Sequence, residues 1–174
     1  CWRKSGKRLE AEIIRDALLA VSGLLDERMF GPGTLDEKMR RRSVYFFVKR
    51  SQLVPMMTLF DAPDSLQDIA LRSTTTVAPQ ALLMMNSPIV RGYAEGFAQR
   101  VVATSGDNPA DNVRRAYAIA IGRGPTTEEE ADALAFLAEQ TRAYGVTEKA
   151  NASQLALTDF CQTLMSLNEF VFVD

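Results

Sequence analysis

The chain has 174 residues, 47% of them hydrophobic and 24% charged, enough for one domain with a core of its own and too apolar for a disordered tail. Its 20 Lys+Arg and 22 Asp+Glu leave a net charge of -2, which excludes bulk electrostatic binding of nucleic acid as the default role. It has no histidine, so His-based triads, His general bases and His-ligated metal or haem cannot be built from these residues alone; Cys1 and Cys161 cannot make a CxxC site either.

The sequence starts at Cys1 rather than a methionine, and a helical pattern follows almost at once, so it reads as a piece of a longer protein. Arg8 to Ser22 predicts a helix, with Leu9, Ile13, Ala17 and Val21 in a stripe widened by Ile14 and Leu18. Glu10, Glu12, Arg15 and Asp16 take its wet side, and Gly23 stops it. Gly31-Pro32-Gly33 marks a turn-rich stretch. Val44 to Val48, β-branched and aromatic without alternation, predicts a short strand buried on both faces. Pro55 starts a short helix through Phe60, and Asp61-Ala62-Pro63-Asp64 turns the chain.

After a Thr-rich approach, Gln80 to Met85 predicts a helix. Asn86-Ser87-Pro88 breaks it, because proline lacks a donor and clashes with the preceding turn. Ser87 then caps a second helix striped by Ile89, Tyr93, Phe97 and Val101. The next helix carries Val113, Ala116, Tyr117, Ala120 and Ile121 on one face and stops at Gly122-Arg123-Gly124-Pro125. Thr126 and Glu129 form a capping box for a helix carrying Ala131, Leu134, Ala138 and Thr141. A last helix, Ser153 to Leu167, lines its inner face with Leu157, Phe160, Cys161, Leu164 and Leu167. The apolar tail Phe170 to Val173 is β-prone, and either pairs with Val44 to Val48 or plugs the core. No apolar run is long enough to cross a bilayer. The expected fold is mainly α, a single domain over residues 1–174 of five to seven helices, with at most a short β element around 44–48 and 170–173.

Charge is unevenly spread. Residues 1–50 carry 12 Lys/Arg against 7 Asp/Glu, and residues 51–174 carry 8 against 15. Arg41, Arg42, Lys49 and Arg50 form the densest basic cluster, with Lys38 and Arg40 beside it. Arginine forks suit carboxylate, phosphate or sulfate, so the cluster is a candidate anion or partner site. The competing use is ion pairing within the domain. Asp61 and Asp64 are paired carboxylates that either do acid-base work or bind a hard cation, or else cap the turn and pair with Arg42 or Arg50. Ser43, Ser51 and Thr74-Thr75-Thr76 lack a histidine base, and no GxSxG, P-loop or GxGxxG is present. Met56-Met57 and Met84-Met85 sit in apolar patterns and read as core. No metal site is expected, and no catalytic residue is assigned.

Several motifs together resemble a known family. They are Arg8-Leu9-Glu10-Ala11-Glu12, Arg41-Arg42-Ser43-Val44-Tyr45, Leu59-Phe60-Asp61-Ala62-Pro63-Asp64, Thr76-Val77-Ala78-Pro79-Gln80, Met85-Asn86-Ser87-Pro88, Gly122-Arg123-Gly124-Pro125-Thr126 and the terminal Asn168-Glu169-Phe170. The chain is similar to the C-terminal part of the DUF1553 (PSD1) domain of planctomycete-type multidomain proteins. The resemblance implies an exported, periplasmic setting, an upstream DUF1549 domain and often a cytochrome c-like region with its own CxxCH haem motif. It implies no reaction and no cofactor in this chain, haem belonging to other domains. Its motifs fall on Arg41, Arg42, Lys49, Arg50, Asp61 and Asp64, and more weakly on Gln80 and Asn86. The leading expectation is a non-catalytic helical module that docks onto the upstream domains of the same polypeptide. The competing one is an enzyme subdomain or a module binding sulfated or carboxylated glycans. A third, weaker expectation is docking of the basic first third onto an acidic cytochrome surface.

Overall fold

The computed structural model describes residues 6–49, 54–63, 75–146 and 151–173. Within them the chain runs β1 (Lys7–Arg8), α1 (Ala11–Ser22), a 3-10 turn (Ser43–Tyr45), α2 (Pro55–Leu59), α3 (Ala78–Asn86), α4 (Pro88–Ser105), α5 (Pro109–Ala120), α6 (Thr127–Tyr144), α7 (Ala152–Met165), α8 (Asn168–Val171) and β2 (Phe172–Val173). The fold is mainly α, with one two-stranded antiparallel sheet pairing Lys7 with Val173 and Arg8 with Phe172. Eight α-helices stand among the described residues; the one beyond the expected seven is α8, a single turn inside the tail that reads as β-prone.

The helices α4 and α7 form the centre. Val90, Tyr93, Ala94, Phe97, Ala98 and Val101 face inward from α4, and Ala156, Leu157, Phe160, Cys161, Leu164 and Met165 from α7. Helix α6 packs along α7, α1 along α4, and α5 closes against both α4 and α6. The local signals for these helices are physical ones. Ser87 accepts a bond from the Ile89 amide, and Pro88 needs no donor at the first helical position. Thr126 Oγ1 accepts from the Glu129 amide at 3.2 Å, and Glu129 accepts from the Thr126 amide at 2.7 Å, completing the capping box. Gly23 ends α1 at φ 72, a left-handed conformation that glycine adopts without strain.

Four expectations are corrected. Helix α1 starts at Ala11, because Arg8 is drawn into β1 and the Leu9 amide bonds to Val171 O at 2.8 Å. Its inner face is Ile14, Leu18, Leu19 and Ser22, with Arg15 buried among them, while Ile13 is about half exposed; Arg15 is not on the wet side because backbone carbonyls receive its guanidinium. The segment Val44 to Val48 is no buried strand. It holds a 3-10 turn and a lone parallel bridge from Phe46 to Thr34, and Val44, Phe47 and Val48 are exposed. The tail's strand therefore pairs with β1 instead. On α6 the buried residues are Ala133 and Leu137, with Leu134 at the edge and Ala131 and Ala138 exposed. Helix α6 therefore packs inward through Ala133 and Leu137 rather than through Ala131 and Ala138.

Arg123 extends the α6 cap. Its guanidinium grips both Glu129 oxygens at 2.7 Å and Glu169 of α8 at 2.8 Å, and lies against the Tyr117 ring. This hydrogen bonding, first from Arg123 and then from the Thr126 amide, lowers the Glu129 pKa to about 2. A carboxylate depressed in the folded state stabilises fully above its unfolded value and loses that contribution as pH falls through the folded one. Thermal midpoints should therefore fall between about pH 4.5 and 2, and Glu129→Gln should flatten that part of the profile; an unchanged profile would contradict the assignment. In the centre, Phe97→Ala should cost about 3–5 kcal/mol in urea unfolding.

Candidate functional site

The basic cluster of the sequence lies in an irregular layer, residues 26–49, laid over α1. Few backbone bonds hold it. Asp26 N donates to Arg40 O at 2.9 Å, Thr34 N to Tyr45 O at 2.9 Å, and Phe47 N to Thr34 O at 3.0 Å. The close approach of these two segments needs Gly33, where a Cβ would meet Tyr45 O at 2.9 Å.

Side chains do the rest. Arg15, 1% exposed on α1, donates to Arg41 O at 3.0 Å, to Ser43 Oγ at 3.2 Å and to Met39 O, and stacks over the Phe46 ring at 4.5 Å. Burial lowers its pKa from the ordinary arginine value. Next to it, Asp16 accepts from both the amide and the hydroxyl of Ser43 at 2.7 Å. The Ser43 hydroxyl is thus committed to a clamp rather than to chemistry. From the outer side, Arg41 stacks on Tyr45 with its guanidinium carbon 3.5 Å from the ring centre, and donates to the carbonyls of Arg28, Pro32 and Phe30.

The outcome is a presented apolar tip. Phe30 is 80% exposed and sits at φ 65, a conformation rarely adopted by a bulky residue. Its amide donates to Tyr45 OH at 2.7 Å, and its carbonyl receives Arg41. Met29, Val44, Phe47 and Val48 each leave more than half of their surface exposed in the same layer. Lys38, Arg40, Arg42 and Lys49 are exposed in the layer as well.

The candidate residues do not converge on one point. Arg41 is used inside the layer, Arg42 leans toward Asp16 at 3.7 Å, and Lys49 is exposed at the layer's end. Arg50 and Asp64 lie outside the described residues. Asp61, at φ 60, is bonded by Arg8 at 2.6 Å and by Thr75 at 2.7 and 2.9 Å. Gln80 is buried beside this turn, donating to Leu59 O at 2.9 Å and Thr75 O at 3.2 Å and accepting from the Val77 amide. Asn86 donates to Leu82 O, closing α3 on itself. Arg8 is the cation that sequence reading missed here. It lies 53 positions before Asp61, and only the β1–β2 pairing brings it there. Among the described residues no cluster of three or more His, Cys, Asp or Glu could hold a metal ion. Cys161 is buried in the core, where burial pushes its thiol pKa up.

Arg15→Met should destabilise the protein by about 3 kcal/mol or more, since it orphans inward carbonyls at roughly 1–3 kcal/mol each. Arg41→Ala should leave global stability within about 1 kcal/mol while speeding hydrogen exchange at Thr34 and Phe47. Equal behaviour of the two variants would refute this division of labour.

The pattern of the PSD1 family, described as proteins of unknown function (DUF1553), matches residues 1–137, which takes in the whole layer, α1 to α5 and α6 as far as Leu137. No curated protein and no solved structure matches the chain. No helix among the described residues is long and apolar enough to cross a membrane. By this match over most of its length, the chain belongs to the PSD1 family of proteins of unknown function (DUF1553).

Proposed function

We infer that this chain is a non-catalytic interaction module whose layer of residues 26–49 docks onto the upstream domains of the same polypeptide, in an exported, periplasmic protein. The observation that carries the reading is Phe30, held in a strained conformation by Tyr45 and Arg41 with 80% of its surface exposed. A large apolar side chain costs solvation when exposed, and a strained backbone persists only where surrounding bonds enforce it. Both together describe an anchor preorganised for a pocket, which spares ordering entropy on binding. Met29, Val44, Phe47 and Val48 widen the apolar contact, and exposed patches of this kind with polar rims mark interaction sites.

The exposed cations define the partner's chemistry. Lys38, Arg40, Arg42 and Lys49 are exposed in the same layer as the apolar residues, so a complementary surface combines apolar and acidic groups. An acidic cytochrome c-like domain of the larger protein satisfies the same description. The glycan-binding reading has less behind it. Arg41, the fork at the middle of the cluster, already serves ring and carbonyls.

The test is association in trans. The upstream portion of the polypeptide, purified separately, should bind this chain. Phe30→Ser or Phe47→Ser should each weaken binding by about tenfold or more, and rising salt should weaken it further. Absence of association, or binding by both serine variants as tight as that of the unaltered chain, would defeat the reading.

A further inference from the structure

The seven methionines of the chain differ widely in their access to solvent. Met56, Met57, Met84 and Met165 are buried, and Met39 is half-buried. Met29 and Met85 stand out, with 71% and 64% of their surface exposed. Cys161 is fully buried on α7, out of reach of a dissolved oxidant. Among the described residues, the sulfurs open to oxidation are therefore those of Met29 and Met85.

Their settings are not alike. Met85 lies on α3, whereas Met29 lies in the 26–49 layer, directly before the Phe30 anchor. Both peptide groups flanking Met29 are held. The Arg28 carbonyl accepts from Arg41 at 3.3 Å, and the Phe30 amide donates to Tyr45 OH at 2.7 Å. The layer thus fixes the backbone that presents this thioether. Its other exposed apolar residues, Phe30, Val44, Phe47 and Val48, carry no sulfur, so Met29 is the member of the set that mild oxidation makes polar. A thioether packs well against apolar and aromatic surfaces, while a sulfoxide must shed bound water to enter one.

We propose that Met29 is an oxidation switch on docking: peroxide acts on the undocked chain, and the resulting sulfoxide weakens the layer's hold on its partner. The inference rests on the docking reading and adds its regulation. The Met29 sulfur attacks one oxygen of hydrogen peroxide, and an S–O bond forms as the O–O bond breaks. The proton of the attacked oxygen passes to the departing one, which leaves as water. Sulfur loses two electrons and peroxide gains them. Two thiols on a sulfoxide reductase reverse the step, giving thioether, disulfide and water. Docking covers Met29 and protects it, while an oxidised chain stays undocked until it is reduced.

The full chain, treated with dilute hydrogen peroxide, is followed by peptide mass mapping and by binding to the upstream portion of the polypeptide. Met29 and Met85 should oxidise first, and in the complex Met29 should be spared while Met85 is not. The treated chain should bind about tenfold more weakly, with an unchanged melting midpoint, and methionine sulfoxide reductase with dithiothreitol should restore binding. Met85→Leu should lose affinity on treatment as the unaltered chain does. Met29→Leu should bind equally before and after treatment. Treated chain binding as tightly as untreated, a loss that Met29→Leu shares or that comes with a lower melting midpoint, or equal oxidation of Met29 in the free and docked chain would overturn the proposal. No association of the untreated chain would defeat the docking reading and this inference together, an outcome distinct from those.

Discussion

The buried guanidinium of Arg15 is the constraint on which the upper half of the molecule depends. It projects from α1 into a layer that has almost no regular secondary structure, and it donates to the carbonyls of Met39 and Arg41. Burial of a charge is costly, which is visible in its lowered pKa, and the cost is offset only because neutral acceptors, the neighbouring Asp16 and the Phe46 ring surround it. A lysine could supply the charge but not the planar fork that reaches several acceptors and stacks on a ring at once. With this pin in place, Arg41 can hold the outer turn and keep Phe30 in its unusual conformation.

The same device recurs. Arg100 of α4 closes the end of α1 by donating to Ala20 O at 2.7 Å and Val21 O at 2.9 Å. Gln162 of α7 does likewise for α3, donating to Met84 O and Met85 O, and its own oxygen accepts from Arg91, which also pairs with Asp159. Helix ends leave carbonyls without partners, and here side chains from neighbouring helices supply the donors. The near-zero net charge therefore does not describe a set of matched ion pairs. Some cations meet carboxylates, as Arg8 meets Asp61 and Arg114 meets Glu130, but the most buried of the arginines in the layer are spent largely on backbone. That leaves the exposed cations of the layer available to a partner.

The helical part of the fold was legible because its signals are local. Ser87-Pro88, Thr126 with Glu129, and Gly23 each act within one turn of chain, and the stripes Tyr93-Phe97-Val101 and Phe160-Cys161-Leu164 face the core as their spacing requires. Where a stripe was broad, its rotation was not legible. The sequence Ile13-Ile14-Arg15 offers two aliphatic residues and a cation, and the buried pair is Ile14 and Arg15 because acceptors 24 and 26 residues away meet the guanidinium. The apolar run at Val44–Val48 has strand propensity, but no neighbouring strand among the described residues offers a ladder; Val44, Phe47 and Val48 stay at the surface while Phe46 packs against the core.

The sequence by itself determined the family, the helical class, the caps and breaks, the exclusion of histidine chemistry, and the existence of a basic first third. Each of these depends on residue identity or on contacts within a few positions. Only the tertiary structure decided what the arginines do, that Asp61 belongs to Arg8, that Phe30 stands out from the surface, and that the Asn112 side-chain oxygen is buried without a donor. Those outcomes depend on which acceptors and walls arrive from distant segments, and hydrogen bonding to a carbonyl leaves no periodic mark in the chain that supplies it.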